Sequence, residues 1–382
     1  MTRARKAPRP LDLEAVALDP GTRIIVCCGS GGVGKTTTAA AIALRAAEQG
    51  RKVVVLTIDP ARRLAQSMGL SELDNVPRAV SDVDTAKGGE LHAMMLDMKR
   101  TFDEIVSAHS TPERAEQIFA NPFYQSLSSS FAGTQEYMAM EKLSQLRARD
   151  EWELIVVDTP PSRSALDFLD APQRLGRFLD GRMLRLLLAP ARAGGRAYMK
   201  VVSASFSLFT RVLTRIIGTD VLRDLSAFVG ALETMFGGFR ERAQKTYELL
   251  QTPGTAFVVV AAPEPDALRE ASYFVDRLSA ESMPLAGLVL NRVRSTALPR
   301  LSAERADVAA DALAEAGGHE LTEAVLRVHA ERFVLAARDR RMGDRFTGAH
   351  PDVPLAEVPA LATDVHDLDG LRSVARALAG SD

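Results

Sequence analysis

The sequence predicts an α/β fold: a doubly wound, mostly parallel sheet with helical segments inserted into it. Three observations carry that expectation. Short apolar, β-branched runs recur along the chain, separated by segments of helical periodicity; this is the pattern of strands buried on both faces. The first run passes through a glycine-rich loop directly into an alanine-rich segment. Two stretches, residues 98–150 and 164–252, keep helical periodicity but hold no buried strand, which marks them as insertions.

Taken in order, the opening MTRARKAPRP is basic, contains Pro8 and Pro10 and is followed by no apolar targeting core. Residues 1–20 are expected as a disordered tail and residues 21–382 as the folded domain. RIIVCC (23–28) reads as the first strand, followed by the loop GSGGVGKTTT (29–38) and a helix over 39–49 that Gly50 stops. KVVVLTI (52–58), LHAMMLD (91–97), LIVVD (154–158), FVVVAAP (257–263) and LAGLVLNRV (285–293) read as further strands. The uncharged stretch from Gln117 to Gln135, rich in Ser, Asn, Gln and Gly, reads as a loop. No repeat of 20–50 residues is evident.

Composition removes several functional classes. The 382 residues hold 47 Lys and Arg against 49 Asp and Glu, a net charge of −2, so no nucleic-acid partner is expected. The two cysteines, Cys27 and Cys28, are adjacent, which excludes a disulfide framework and a zinc site built on CxxC pairs. The six histidines are not grouped at metal-ligand spacing. No apolar run reaches the roughly 18 residues needed to span a bilayer, so a cytoplasmic protein, at most transiently membrane-associated, is expected.

The chemistry is concentrated in Gly29-x4-Gly34-Lys35-Thr36, which matches the P-loop pattern at every fixed position, between a strand and a helix. Gly29, Ser30, Gly31, Gly32, Val33 and Gly34 would curl the backbone so that N–H groups face phosphate oxygens, with Thr37 in the following turn. Lys35 would reach the β- and γ-phosphates of ATP as a point charge, and the Thr36 hydroxyl would ligate Mg²⁺. Asp158, ending a core strand, suits the carboxylate that holds the magnesium shell, partly through water. Asp59 ends the second strand on the same edge; it reads either as the group that orients the attacking water or as a turn aspartate before Pro60.

GGVGKTT, LTIDPA (56–61), LIVVDTPPS (154–162) and LVLNRV (288–293), in this order, with APEPDALREA (262–271) and VPALATDVHDLDGL (358–371), resemble the ArsA-type ATPases. These are the arsenite-pump ATPase, the eukaryotic ATPase that delivers tail-anchored membrane proteins, and their bacterial relatives; they share the deviant Walker A class with the MinD and ParA ATPases. The resemblance implies a P-loop ATPase domain, ATP and Mg²⁺ as substrate and cofactor, and a dimer. It implies that Asp59 positions the hydrolytic water and that Asp158 begins the γ-phosphate-sensing segment with Thr159, Pro160 and Pro161. It also implies that Asn291 reads adenine, that Pro359 lies in the segment covering it, and that the helical insertions bind a client protein.

Three departures stand against the family pattern. The signature lysine at the loop's second position, as in GKGGVGKT, is Ser30 here. The metalloid-binding cysteines have no counterpart, and Cys27 and Cys28 read as small core residues. The zinc-binding CxxC of the eukaryotic homodimer is absent. Since the signature lysine crosses to the partner's phosphates, Ser30 implies one of three arrangements. One is a heterodimer with a lysine-bearing paralogue; another is a homodimer using Arg62, Arg63 or Arg163 instead; the third is a nucleotide-gated regulatory protein with little turnover. An energising subunit of an anion or metalloid exporter is a further alternative.

Within the insertions, Phe206, Phe209, Leu213, Ile216 and Ile217, then Leu225, Phe228, Val229, Leu232, Met235 and Phe236, recur at helical spacing. They read as subdomain core or as a groove for an apolar client helix or membrane protein. Arg174 to Lys200 holds seven basic residues and one acidic, Asp180, interleaved with apolar positions. It reads as a solvated arginine face over a buried stripe or as a basic amphipathic helix for an anionic membrane.

Overall fold

Valine, isoleucine and leucine crowd the strand-forming runs without polar alternation, and the sheet buries them on both faces. The computed structural model describes residues 9–59, 63–122, 124–125, 134–160 and 241–379. Among them are strands β1 (Ile24–Gly29), β2 (Lys52–Thr57), β3 (Arg78–Ala79), β4 (Glu90–Met95), β5 (Leu154–Asp158), β6 (Thr255–Ala261), β7 (Leu285–Val293) and β8 (Leu355–Pro359). They form one sheet in the order β3-β4-β2-β5-β1-β6-β7-β8. Every pairing is parallel except that of β3 with β4. The expected α/β fold and its mostly parallel sheet are therefore present. Strands β3 and β8, one two residues long and the other mixing charge and proline, were not foreseen from the apolar runs.

The helices are α1 (Leu13–Leu18), α2 (Lys35–Glu48), α3 (Arg63–Ser67), α4 (Met98–His109), α5 (Pro112–Phe119), α6 (Thr134–Arg149), α7 (Pro265–Ala280), α8 (Ala303–Ala316), α9 (Glu320–Ala349) and α10 (Leu368–Leu378). Helix α2 is buried along nearly its whole length, because its alanines let it lie close to the sheet. The chain divides into two units: Met1–Met95, Arg149–Leu166 and Leu249–Asp382 in one, Leu96–Ala148 and Asp167–Glu248 in the other. The described part of the second unit is helical, with Phe102, Ile105 and Val106 of α4 buried and an ion pair between buried Glu141 and half-buried Arg242. Residues 241–250 are also helical.

Two expectations are corrected. Residues 11–18, placed in a disordered tail, are ordered: Leu11 and Leu13 are buried and Asp12 caps α1. The Arg51 guanidinium holds this segment, donating to the carbonyls of Ala17, Asp19 and Thr22 and to that of Glu153. The backbone of Leu355 pairs with Arg9 and Leu11, so the start of the chain lies along the edge strand β8. The Gln117–Gln135 stretch, expected as a loop, is partly helical: α5 runs to Phe119, Pro122, Tyr124 and Gln125 are helical, and α6 begins at Thr134. Ile118 of α5 is buried, and its apolar contact outweighs the polar composition around it. The basic stretch Arg174–Lys200 and the apolar spacing from Phe206 to Phe236 lie outside the described residues.

Candidate nucleotide site

Parallel order brings the C-terminal ends of β2, β5, β1 and β6 to one edge of the sheet, and loops leaving such an edge converge on a common crevice. The loop after β1 is held from both sides. Gly29 leaves the strand at φ 152°, and a Cβ there would collide with the Val260 carbonyl oxygen of β6. Gly34 precedes α2 at φ 95°, in the left-handed region that glycine adopts without cost. A Cβ on Gly34 would strike the Asn291 amide nitrogen. Between them Ser30 is half-buried, Gly31 and Gly32 are exposed, Val33 is buried and Thr37 is half-buried in the first turn of α2.

Helix α2 has no side-chain cap among the described residues. Its first-turn N–H groups and the positive end of its dipole thus remain directed at the loop, which is the basis of anion binding at helix N-termini. Lys35 is only 6% exposed, and its Nζ donates to the Ser30 carbonyl at 2.7 Å, so the ammonium is folded over the loop. Burial lowers its pKa, while Asp158 and Asp59 act in the opposite direction.

The carboxylate of Asp158 is fully buried. Its Oδ2 accepts from the hydroxyls of Thr36 at 2.8 Å and Thr57 at 2.9 Å. Its Oδ1 has no hydrogen-bond partner among the described residues. Burial pushes its pKa up to about 6 despite the two hydroxyls and Lys35. A buried carboxylate oxygen without a donor is costly unless a cation or water meets it. This donor set fits Mg²⁺, a hard cation that takes oxygen ligands: Asp158 Oδ1 has no hydrogen-bond donor among the described residues, and the Thr36 hydroxyl keeps lone pairs while donating its proton to Asp158.

Thr57 was not singled out from the sequence, and it ties the two aspartates together. Its hydroxyl donates to Asp158 and accepts from the Asp59 backbone N–H at 3.2 Å. The signal was a threonine ending β2 in register with Asp158. Asp59 is half-buried where the chain leaves β2, near enough to Lys35 and Asp158 to affect their charge. Thr159 anchors the start of the next segment through its hydroxyl on the Cys27 carbonyl, 2.8 Å.

Asn291 ends the buried part of β7 and donates from Nδ2 to the Val33 carbonyl at 2.8 Å. Its amide is thereby engaged with the phosphate loop. Pro359 closes β8 on the same edge, exposed and in register with Val293. Both cysteines lie fully buried in β1, where burial pushes the Cys28 thiol up to about 12 and raises that of Cys27 as well. Among the described residues no cluster of His, Cys, Asp or Glu could hold a metal ion by itself.

The sequence is similar to those of known proteins. The chain is 29% identical over 173 residues to the ATPase GET3 of Malassezia globosa, covering 45% of this chain and 49% of that protein. It is 26% identical over 266 residues to the ATPase ASNA1 homolog of Cryptosporidium parvum, covering 69% of this chain and 63% of the relative. It is 25% identical over 306 residues to the ATPase get3 of Schizosaccharomyces pombe, covering 78% and 82%. The chain thus spans about half the length of the first relative and less than two thirds of the second. Residues 22–297, which carry the P-loop, Asp59, Asp158 and Asn291, match the model of the anion-transporting ATPases, and the chain belongs to that family.

Proposed function

We infer that this chain binds ATP with Mg²⁺ and hydrolyses it, and that the nucleotide state opens and closes a dimer which holds a client protein. The observation that carries the reading is the buried Thr36–Asp158–Thr57 cluster beside Lys35 at an uncapped helix start. The loop amides and Lys35 hold the β- and γ-phosphates and offset the charge that develops on them. Thr36 and Asp158 would hold Mg²⁺, which would supply positive charge to offset that on the phosphates. Asp59 orients a water in line with the γ-phosphorus; as the water oxygen bonds to phosphorus the bond to the ADP oxygen breaks, and ADP and inorganic phosphate leave, the water's protons passing to the phosphate and to solvent. Asn291 and Pro359 border the adenine side.

Ser30 bears on how charge reaches the transferring phosphate. Without a lysine at that position, the chain brings none to an identical partner, and we favour pairing with a paralogous, lysine-bearing subunit. The client reading draws on the apolar spacing between Phe206 and Phe236 and on the likeness to the GET3 ATPases. A second reading, the energising subunit of an anion exporter, draws on the family's description; the burial of both cysteines in β1 counts against a metalloid cargo. A cytoplasmic setting accords with the lack, among the described residues, of a helix long and apolar enough to cross a membrane.

Two measurements test this. Asp59→Asn should retain MgADP binding and lower phosphate release by at least about 100-fold, the scale of a lost general-base or positioning group; unchanged turnover removes that role. Recovery of the chain from native lysate with and without a non-hydrolysable ATP analogue should bring down a lysine-bearing paralogue. Membrane-protein clients alone would favour a homodimeric targeting factor, and neither would favour the regulatory reading.

A further inference from the structure

The hydrogen-bond chain from the phosphate loop does not stop at Asn291. The Asn291 Oδ1 accepts from the backbone N–H of Arg292 at 2.9 Å, while its Nδ2 donates to Val33. Arg292 has φ 61°, a left-handed conformation that a side-chain-bearing residue adopts at a cost. The pairing of β7 with β8 slips at this point, from Asn291↔Val358 to Val293↔Pro359, so Arg292 is a bulge. Bulges re-aim neighbouring side chains and persist only where the surroundings over-determine them. Here the surroundings include Asp339 of α9, which bonds Arg294 two residues beyond the bulge.

Asp339 is 0% exposed. Its Oδ2 accepts from the Arg294 backbone N–H at 2.9 Å and from Arg294 Nε at 2.8 Å, and its Oδ1 accepts from Arg294 Nη2 at 2.9 Å. A fork-on-carboxylate pair fixes orientation as well as distance. The third bond, to the backbone, fixes where β7 ends. One turn further along α9, Gly343 lies against Leu290, where a Cβ would approach the leucine methyl to 3.3 Å. Helix α9 therefore clamps β7 on both sides of Asn291.

We propose that Asp339 is a positioning residue for the nucleotide site, acting through the end of β7 to hold Asn291 against the Val33 carbonyl and Gly34. Asp339 touches no part of the loop itself. It acts by locking the bulge that aims the Asn291 amide, and so keeps the loop in the curled form that accepts phosphate. The consequence for nucleotide affinity rests on the ATP-binding reading above; the consequence for the loop does not.

The test is a double-mutant cycle on the full chain, with MgADP affinity measured by calorimetry and amide hydrogen exchange of residues 29–38 followed without nucleotide. Asp339→Ala should weaken MgADP binding about five- to tenfold, yet about twofold or less in an Asn291→Ala background, the non-additivity expected of groups acting in series. Exchange over residues 29–38 should quicken in Asp339→Ala, and Asp339→Asn, which keeps an acceptor for the Arg294 N–H, should fall between it and the wild type. If Asp339→Ala does not fold, Asp339→Asn carries both comparisons. Additive losses, with exchange over 29–38 unchanged, would reduce Asp339 to a fastener of α9 and overturn the proposal. A wild-type chain that fails to bind MgADP overturns the proposed function instead, and the exchange comparison then decides this inference alone.

Discussion

Asp158 is a carboxylate held in the wrong solvent for its charge. Its folded pKa of about 6 lies above the 3.8 of an unburied aspartate, so the folded chain binds that proton more tightly than the unfolded chain does. The sign follows: its contribution to stability is greatest below 3.8 and is lost as pH rises through about 6, a change of about 3 kcal/mol. Asp158→Asn, which removes the charge and keeps the shape, should therefore gain stability over the wild type across that window in nucleotide- and magnesium-free protein. Denaturant unfolding at a series of pH values measures it, and a flat difference contradicts the burial argument. The same residue predicts that Mg²⁺-dependent nucleotide binding weakens below pH about 6, where protons compete for the carboxylate.

At the scale of elements, the central strands and the glycine loop were legible in the sequence because their signals are local. Five-residue apolar runs state burial on both faces, and the fixed spacing of Gly29, Gly34, Lys35 and Thr36 states a loop on a helix. Thr57, Arg294 and Asp339 were not legible, since each acquires its role from a partner distant in the chain: Asp158 for Thr57, and Arg294 and Asp339 for each other. Helix α1 was missed for the same reason. Its six residues are too few to be stable alone; burial of Leu13 and Ala17, the Asp12 cap, the Glu14–Arg45 ion pair and the Arg51 fork hold it. Leu13→Ala should cost about 2–5 kcal/mol, the range for emptying a closed core site, and Arg51→Ala should also destabilise by stranding several carbonyls. Thermal unfolding that leaves either variant at the wild-type midpoint would restore the view of residues 11–18 as a dispensable tail.

At the scale of the whole molecule, the proposed pairing with a paralogue turns on Ser30. The phosphate loop has its own lysine, Lys35, but Ser30 brings no positive charge, and its carbonyl accepts from Lys35. The isolated chain should bind MgADP yet turn ATP over slowly, and a lysine-bearing paralogue should raise phosphate release by about 100-fold or more, the order reached when a charged finger completes a phosphoryl-transfer site. Fast turnover by the chain alone, lost in Arg62→Ala or Arg163→Ala, would instead point to a homodimer with an arginine in that place. Both arginines lie outside the described residues.

Strand order also governs how the protein comes off the ribosome. Strand β1 carries the phosphate loop, yet its neighbours are β5 and β6, and all of residues 159–254 intervene between those two. The loop that opens the sequence's chemistry thus waits, with one edge of its strand unpaired, from the completion of β5 until β6 has been synthesised, about 5 to 20 s at ordinary translation rates. Its apolar strand is exposed to aggregation throughout that interval. Closure comes later still, when Leu355 emerges and pairs with Arg9 and Leu11. Truncated nascent chains ending before β6 should therefore present a nucleotide loop that exists in sequence but not yet in shape, and they should depend on chaperones more than chains that have reached Ala261.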